Sequence, residues 1–415
     1  MVSRSFAEAS ALLGELAELS VSAKQVERVA RRTGTERVAE RDASVAAYQA
    51  LPVVQKFDVP AKTPSPELAV VMVDGGRLQI RERHPPPPTP AGQPAKPPGA
   101  GAAEEAWDEE EVPSATARYW REDKIGLLLT MQSAVAENDP CPEIPASFVD
   151  AARIPELARE LNKHVKQAED AAVASPGPEV VNELGPEEAP YRPPQVAERR
   201  VVGTCGPWRS FAPIVAAAAW AWGLMGAARK AFVADGAANN WRLQRRFFAS
   251  FVPVLDFIHA LSYVFAAAMA GRPFALGWEC YRQWIVWVWQ GRVAEVITAL
   301  EGRQAALGLP AKDEPETSPR QVVDKTLTYL RNHQDKMHYA EYRRQGLPLR
   351  SSLMESVVKQ VNQRVKGTEK FWCGEGGEAV LQLRADLLSD GKPLAEFWQR
   401  RQAAATGQNR YRRAG

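Results

Sequence analysis

The chain has 415 residues, with 52 Lys plus Arg, 50 Asp plus Glu and a formal net charge of +2. That length predicts two or three domains, or one with large insertions. A hydrophobic content of 45% with 25% charged residues excludes global disorder and a collagen-like architecture. Four scattered cysteines (Cys141, Cys205, Cys280, Cys373), with no CxxC or Cys/His cluster, exclude a zinc finger and a disulfide scaffold and suit a reducing cytosol.

No secretory leader is expected, because the first ten residues contain Arg4 and Glu8 and lack an apolar core. Residues 6–19 place Leu12, Leu13, Leu16 and Leu19 at helical spacing. A second helix opens at Ser22, with Gln25 three residues on as a capping-box signature, and is expected to stop near Gly34. It turns Lys24, Gln25, Arg28, Arg31 and Arg32 outward. The pair reads equally as a DNA-binding helix-turn-helix or as a solvated helical hairpin, and sets residues 1–66 apart as an N-terminal helical region.

Residues 68–73 and 77–81 predict two strands of a hairpin around Asp74-Gly75-Gly76, and residues 124–131 a third strand. Between them lies a proline-rich and acidic stretch, residues 84–117, expected to be a disordered insert. Residues 132–200 read as a helical insert ending in a Pro/Glu-rich linker. Residues 101–200 carry 10 basic and 21 acidic groups, a net of −11, against 42 and 29 elsewhere, a net of +13. The small overall charge is therefore a cancellation, and a basic scaffold suits a nucleic-acid partner.

Residues 210–228 contain no charge, but their alanines, Pro213, Gly223 and Gly226 favour a buried, closely packed helix over a membrane span. Then helix and strand alternate: strand 230–234, helix 239–249, strand 251–255, helix 257–269. Residues 273–349 form a helical insertion whose tryptophans (Trp278, Trp284, Trp287, Trp289) serve a core or base stacking. The last clear helix is 353–366, within a closing part of the catalytic domain, 350–390, and residues 391–415 read as a basic tail. The pattern describes an α/β fold with a mixed five-stranded sheet flanked by helices.

Three acids stand where apolar strands end or a helix begins. Asp74 and Asp235 close the runs "AVVMVD" and "KAFVAD", each before glycine. If the first and fourth strands are parallel neighbours, both carboxylates meet on one sheet edge, where open α/β sheets bind ligands. Glu355 lies on the polar face of the 353–366 helix with Lys359, Asn362 and Lys366. Ser352-x-x-Glu355 is also a capping-box pattern, so the spacing serves a helix cap and a metal ligand equally.

The stretches "VVMVDGGRLQIR", "YWREDKIGLLLTM", "AFVADGAANNW", "VPVLDFIHALSYV" and "MHYAEYRRQGLPLRSSLMESVVKQVNQRVKGTEKFW" occur in one order over almost the whole chain. Together they resemble the DDE transposases of bacterial insertion sequences, specifically the ISKra group, relatives of the Mutator-like elements. The resemblance implies an RNase H-like catalytic domain over residues 67–272 and 350–390, with Asp74, Asp235 and Glu355 as catalytic triad and metal ligands. Asp256 and His259 match the family's Asp-x-x-His element, His259 as a catalytic group or as part of a pair pinning its helix. The implied chemistry is two-metal displacement at phosphorus with Mg²⁺, for which Mn²⁺ can substitute. The implied partner is double-stranded DNA at terminal inverted repeats, bound by an oligomer in the cytoplasm at the nucleoid.

Lys359, Arg364 and Lys366 form a basic strip suited to phosphate. Arg350 replaces a small residue of the family pattern, as a phosphate contact or as the mark of an inactive copy. The alternatives are an inactive or domesticated DNA-binding derivative and a structure-specific nuclease of the same fold.

Overall fold

The computed structural model describes residues 5–81, 107, 119–162, 191–367 and 370–404. Its centre is a mixed sheet of β1 (Leu68–Ile80), β2 (Trp120–Gln132), β3 (Gln195–Thr204), β4 (Arg229–Ala234) and β5 (Val252–Leu255), in the order β3-β2-β1-β4-β5. β3, β2 and β1 are antiparallel; β1, β4 and β5 are parallel. A short β6 (Phe371–Trp372) joins the far end of β1. The unbroken apolar run from Leu68 to Val73 is fully buried, as a strand covered on both faces requires.

The expected hairpin at Asp74-Gly75-Gly76 is absent. β1 passes straight through both glycines, and β2 pairs alongside from Leu68↔Met131 to Gln79↔Trp120. Neither glycine has a positive φ, so they serve close approach rather than a turn. A second correction concerns residues 132–200: the stretch holds helix α3 (Arg153–Leu161), but it ends in the edge strand β3. The proline-rich insert 84–117 lies outside the described residues apart from Trp107, as does 163–190.

The N-terminal pair is α1 (Phe6–Ala17) and α2 (Ala23–Ala50), and the Ser22–Gln25 capping box forms. α2 does not stop at Gly34 but runs on for 28 residues in all. It is buried there against α12 (Gly374–Leu388): a β-carbon on Gly34 would stand 2.4 Å from the Ala379 carbonyl oxygen. Arg37 and Arg41 reach across to Asp386 at 2.8 Å and Glu378 at 2.7 Å. The helix breaker thus permits a crossing that a larger side chain would block.

After β3 come α4 (Trp208–Ala221), α5 (Ala238–Phe247) and α6 (Phe257–Met269), the last with the bounds the periodicity predicts. The uncharged 210–228 segment is buried helix followed by a 3-10 turn. Among the described residues, no helix is long and apolar enough to cross a membrane.

The helical insertion contains α7 (Phe274–Trp289), α8 (Val293–Leu307), α9 (Pro319–His333) and α10 (Tyr339–Arg344). Trp284 and Trp289 are buried in the core, and Trp278 and Trp287 pack against it while remaining partly exposed. α11 (Ser352–Val365) returns to β1 and β2. Part of the expected tail is instead helix α13 (Pro393–Ala403), anchored by Phe397; residues 405–415 lie outside the described set.

Candidate active site at the ends of the parallel strands

Strand register brings the acids together. β1 and β4 pair in parallel from Leu68↔Arg229 to Met72↔Val233, so Asp74 and Asp235, each two residues on, are level. β4 and β5 end their pairing at Ala234↔Leu255, which makes Asp256 level with Asp235. Asp235 and Asp256 therefore follow the ends of β4 and β5, and Asp74 stands level with them on β1, two residues past the point where its parallel pairing with β4 stops. α11 packs on β1 and carries Glu355.

The aspartates differ in what they hold. Asp74 accepts the Gly75 amide at 2.7 Å and otherwise faces solvent at the sheet edge. Asp235 Oδ1 accepts the Ala237 amide at 2.9 Å and Asn240 Nδ2 at 2.7 Å, which closes the turn into α5. Asp256 is fully buried and spent on structure. Its Oδ1 caps α6 through the amides of Ile258 at 2.6 Å and His259 at 3.1 Å, and its Oδ2 takes both the amide and the hydroxyl of Ser351.

Those Ser351 bonds bear on the capping reading of Glu355. The N-cap of α11 is Ser351, no side chain caps that helix, and the Ser352–Glu355 capping box does not form. Glu355 is half-buried, with its carboxylate engaged in none of the described hydrogen bonds or ion pairs. It does not cap its helix.

The charges feel one another. Asp74 is pushed up to about 6, chiefly by desolvation, with the Asp235 and Glu355 charges adding and the Gly75 amide and His259 opposing. Glu355 is raised by burial and by Asp256, and lowered by His259 and Lys359; Glu160, on α3, raises it further. His259 supplies the opposing cation. Burial lowers its pKa, but Asp256, with Nδ1 3.6 Å from Oδ1, and the charges of Asp235 and Glu355 outweigh that and hold it up to about 9.

A raised histidine pKa contributes stability that is full below the unfolded value of about 6.5 and is lost as pH rises through the folded one. The urea stability difference between wild type and His259→Gln is therefore expected to shrink between about pH 6.5 and pH 9, from at most about 3 kcal/mol. A difference that stays constant across that range would contradict the pairing.

The expected cation strip divides. Lys359 and Lys366 are exposed on α11. Arg364 is not: it is buried with its guanidinium 4.3 Å from the Phe6 ring centroid and 5.3 Å from that of Trp372, so it packs α1 onto β6. Arg350 is half-buried, lies 5.6 Å over the Phe148 ring, and is lowered by that burial. On α2, Lys24, Gln25, Arg28, Arg31 and Arg32 are all exposed, with Gln25 engaged in the capping box and Arg31 bonded to the Cys373 thiol at 2.8 Å.

Several neighbours of the site escaped the sequence reading. Tyr263 and Tyr329 stack at 3.8 Å, and Tyr329 with His333 closes over Gly236, where a β-carbon would stand 2.3 Å from the Tyr329 ring. The i,i+4 spacing of Tyr329 and His333 on an amphipathic helix was the available signal. Asp123, on β2 opposite Gly76, is fully buried; burial pushes its carboxyl up to about 6, with Glu122 adding and Lys124 and Lys366 opposing.

Among the described residues, no group of three or more His, Cys, Asp or Glu stands close enough to hold a metal ion. No protein-family model, curated protein or solved structure matches this chain.

Proposed function

We propose that the protein is a DDE transposase of the ISKra type, with an RNase H-like catalytic domain. In this reading it cuts and rejoins DNA at the terminal inverted repeats of an insertion sequence. The observation that carries the proposal is the level placement of Asp74 and Asp235 just past the parallel pairing of β1 with β4, with Glu355 on the helix packed against β1. The order β3-β2-β1-β4-β5, antiparallel on one side and parallel on the other, supports the RNase H-like assignment.

The donor chemistry fits a hard divalent cation: burial raises the carboxyls of Asp74 and Glu355, and the charges of Asp235 and Glu355 raise Asp74 further. Asp74 and Asp235 would hold Mg²⁺ or Mn²⁺ with waters and substrate phosphate completing the shell, and Glu355 would approach from α11. When bound, such ions activate an attacking oxygen and stabilise a leaving one.

The chain's own groups do the rest. The Asp256 carboxylate keeps His259 protonated at neutral pH, placing a cation beside the acids where a phosphate's non-bridging oxygens collect charge. Lys359, one helical turn past Glu355, and Lys366 extend positive charge along the exposed side of α11. Lys24, Arg28, Arg31 and Arg32 offer a second cationic surface on α2 for duplex DNA. Processing both ends of an element would use an oligomer.

Joining of a pre-cut end with a free 3′-hydroxyl to target DNA tests the transferase assignment. Strand transfer is the expected product; cleavage without joining would instead identify a structure-specific nuclease, and binding without either an inactive derivative.

A further inference from the structure

Beside the catalytic acids lies a second polar cluster, at the crossing of β1, β2 and α11. Asp123 is completely buried, and apart from its own backbone amide neither of its carboxylate oxygens has a hydrogen-bond donor from another residue. Asn362, on the same polar face of α11 as Glu355, presents a buried Oδ1 that is without a partner. Both side chains converge on Gly76: a β-carbon there would stand 2.7 Å from Asn362 Oδ1, 2.8 Å from its Nδ2 and 3.0 Å from Asp123 Oδ1. Acceptors buried without a donor from a neighbouring residue are costly, because each has given up its hydration.

The donor that resolves the conflict is already present. The amide oxygen and nitrogen of asparagine are nearly equivalent in shape, and their assignment follows from the hydrogen-bond network. Turning the Asn362 amide over puts Nδ2 in the buried position beside Asp123 and moves Oδ1 outward. We infer that Asp123 and Asn362 form a buried latch across Gly76, in which the Asn362 amide donates to the Asp123 carboxylate and fixes α11, with Glu355, against β1 and β2. The latch explains why position 76 is glycine in an extended strand: any β-carbon would fill the space in which the two side chains meet.

Asp123 and Asn362 are positioning residues in this account, and their role rests on the catalytic reading of Glu355. They sit two turns along α11 from that acid and across the sheet from Asp74, so they set the register of the helix rather than touch substrate. A small shift of α11 would move Glu355 relative to the two aspartates, and a displacement of about 1 Å can cost about a hundredfold in rate.

A donor–acceptor swap tests this on the full chain. Asn362→Asp opposes two carboxylates and is expected to lower kcat for Mg²⁺-dependent cleavage about tenfold or more with KM for DNA unchanged, and to lower Tm. The double variant Asp123→Asn/Asn362→Asp restores one donor facing one acceptor. It is expected to recover kcat to within about threefold of wild type and to recover Tm, as coupled neighbours do in a double-mutant cycle.

Additive losses in the double variant, or an Asn362→Asp protein indistinguishable from wild type, would overturn the latch. Coupling in Tm with cleavage untouched by Asn362→Asp would overturn the positioning role. If the wild type itself cuts no DNA, the catalytic reading fails, while the melting cycle still decides the latch: recovery supports it and additivity overturns it.

Discussion

Asp74→Asn is expected to abolish Mg²⁺-dependent strand cleavage, by about a thousandfold or more, and at the same time to raise Tm at pH 7 in the absence of metal. The two effects share one cause. The folded protein holds the Asp74 carboxyl near 6, above its ordinary value of 3.8, because the ionised form is desolvated and faces Asp235 and Glu355. A carboxylate with a raised pKa destabilises the fold progressively as pH climbs from about 4 to about 6, and an amide removes that cost. The side chain is ringed by protein that desolvates the carboxylate yet keeps an exposed face to water, so screening reduces the gain to about 1 kcal/mol. Saturating Mg²⁺ should reverse the order: a ligand at a hundred times its dissociation constant stabilises wild type by about 2.7 kcal/mol, and should leave the variant where it is. Calorimetry with and without Mg²⁺ reads both effects. A variant that melts below wild type without metal would contradict the charge argument, and undiminished cleavage would remove Asp74 from the catalytic machinery.

Asp256→Ala should be the most damaging change to the fold near the site. One buried carboxylate caps α6, bonds the backbone and hydroxyl of Ser351 at the start of α11, and pairs with His259. Removing it leaves several buried donors without an acceptor and a histidine without its counter-charge. The expected loss is about 3–5 kcal/mol, the range for breaking a buried ionic partnership from one side. Urea unfolding measures it; a loss below about 1 kcal/mol would mean that water replaces the carboxylate easily. Because Ser351 opens the helix bearing Glu355, variant protein that remains folded should also cleave poorly.

Much of this arrangement was legible in the residues, and the failures have physical reasons. Asp74 and Asp235 could be set level because each follows a buried apolar run, on the condition that the first and fourth strands are parallel neighbours, which the register bears out. The pattern misled where glycine had two meanings. Asp74-Gly75-Gly76 reads as a turn, and Gly34 as a helix stop, yet in both places the chain continues and the missing β-carbon admits a neighbouring element. β3 escaped notice because an edge strand tolerates charge: Glu198, Arg199 and Arg200 look like linker, and such residues discourage edge-to-edge pairing.

At the site, the spacing of Ser352 and Glu355 could not separate cap from ligand. The cap was removed by Asp256, whose claim on Ser351 is a contact between residues 95 positions apart. Asp123 was invisible for a related reason. A buried carboxylate without a neighbouring donor is defined by what surrounds it, and Asn362 comes from the other end of the chain. Arg364 shows the converse: its place on a basic strip was read from charge, but the aromatic rings on either side bury it.

The central claim is that Asp74, Asp235 and Glu355 work together on a phosphodiester. Its most direct test is nicking of duplex DNA taken from the two flanks of the gene and carrying any inverted repeats found there, with Mg²⁺, by wild type and by Asp235→Asn. Asp235 suits this comparison because asparagine preserves its amide-accepting oxygen and hence the turn into α5. Metal-dependent nicks at the repeat ends by wild type, with none from the variant and equal DNA binding by both, are the predicted result. Equal nicking by both proteins would contradict it.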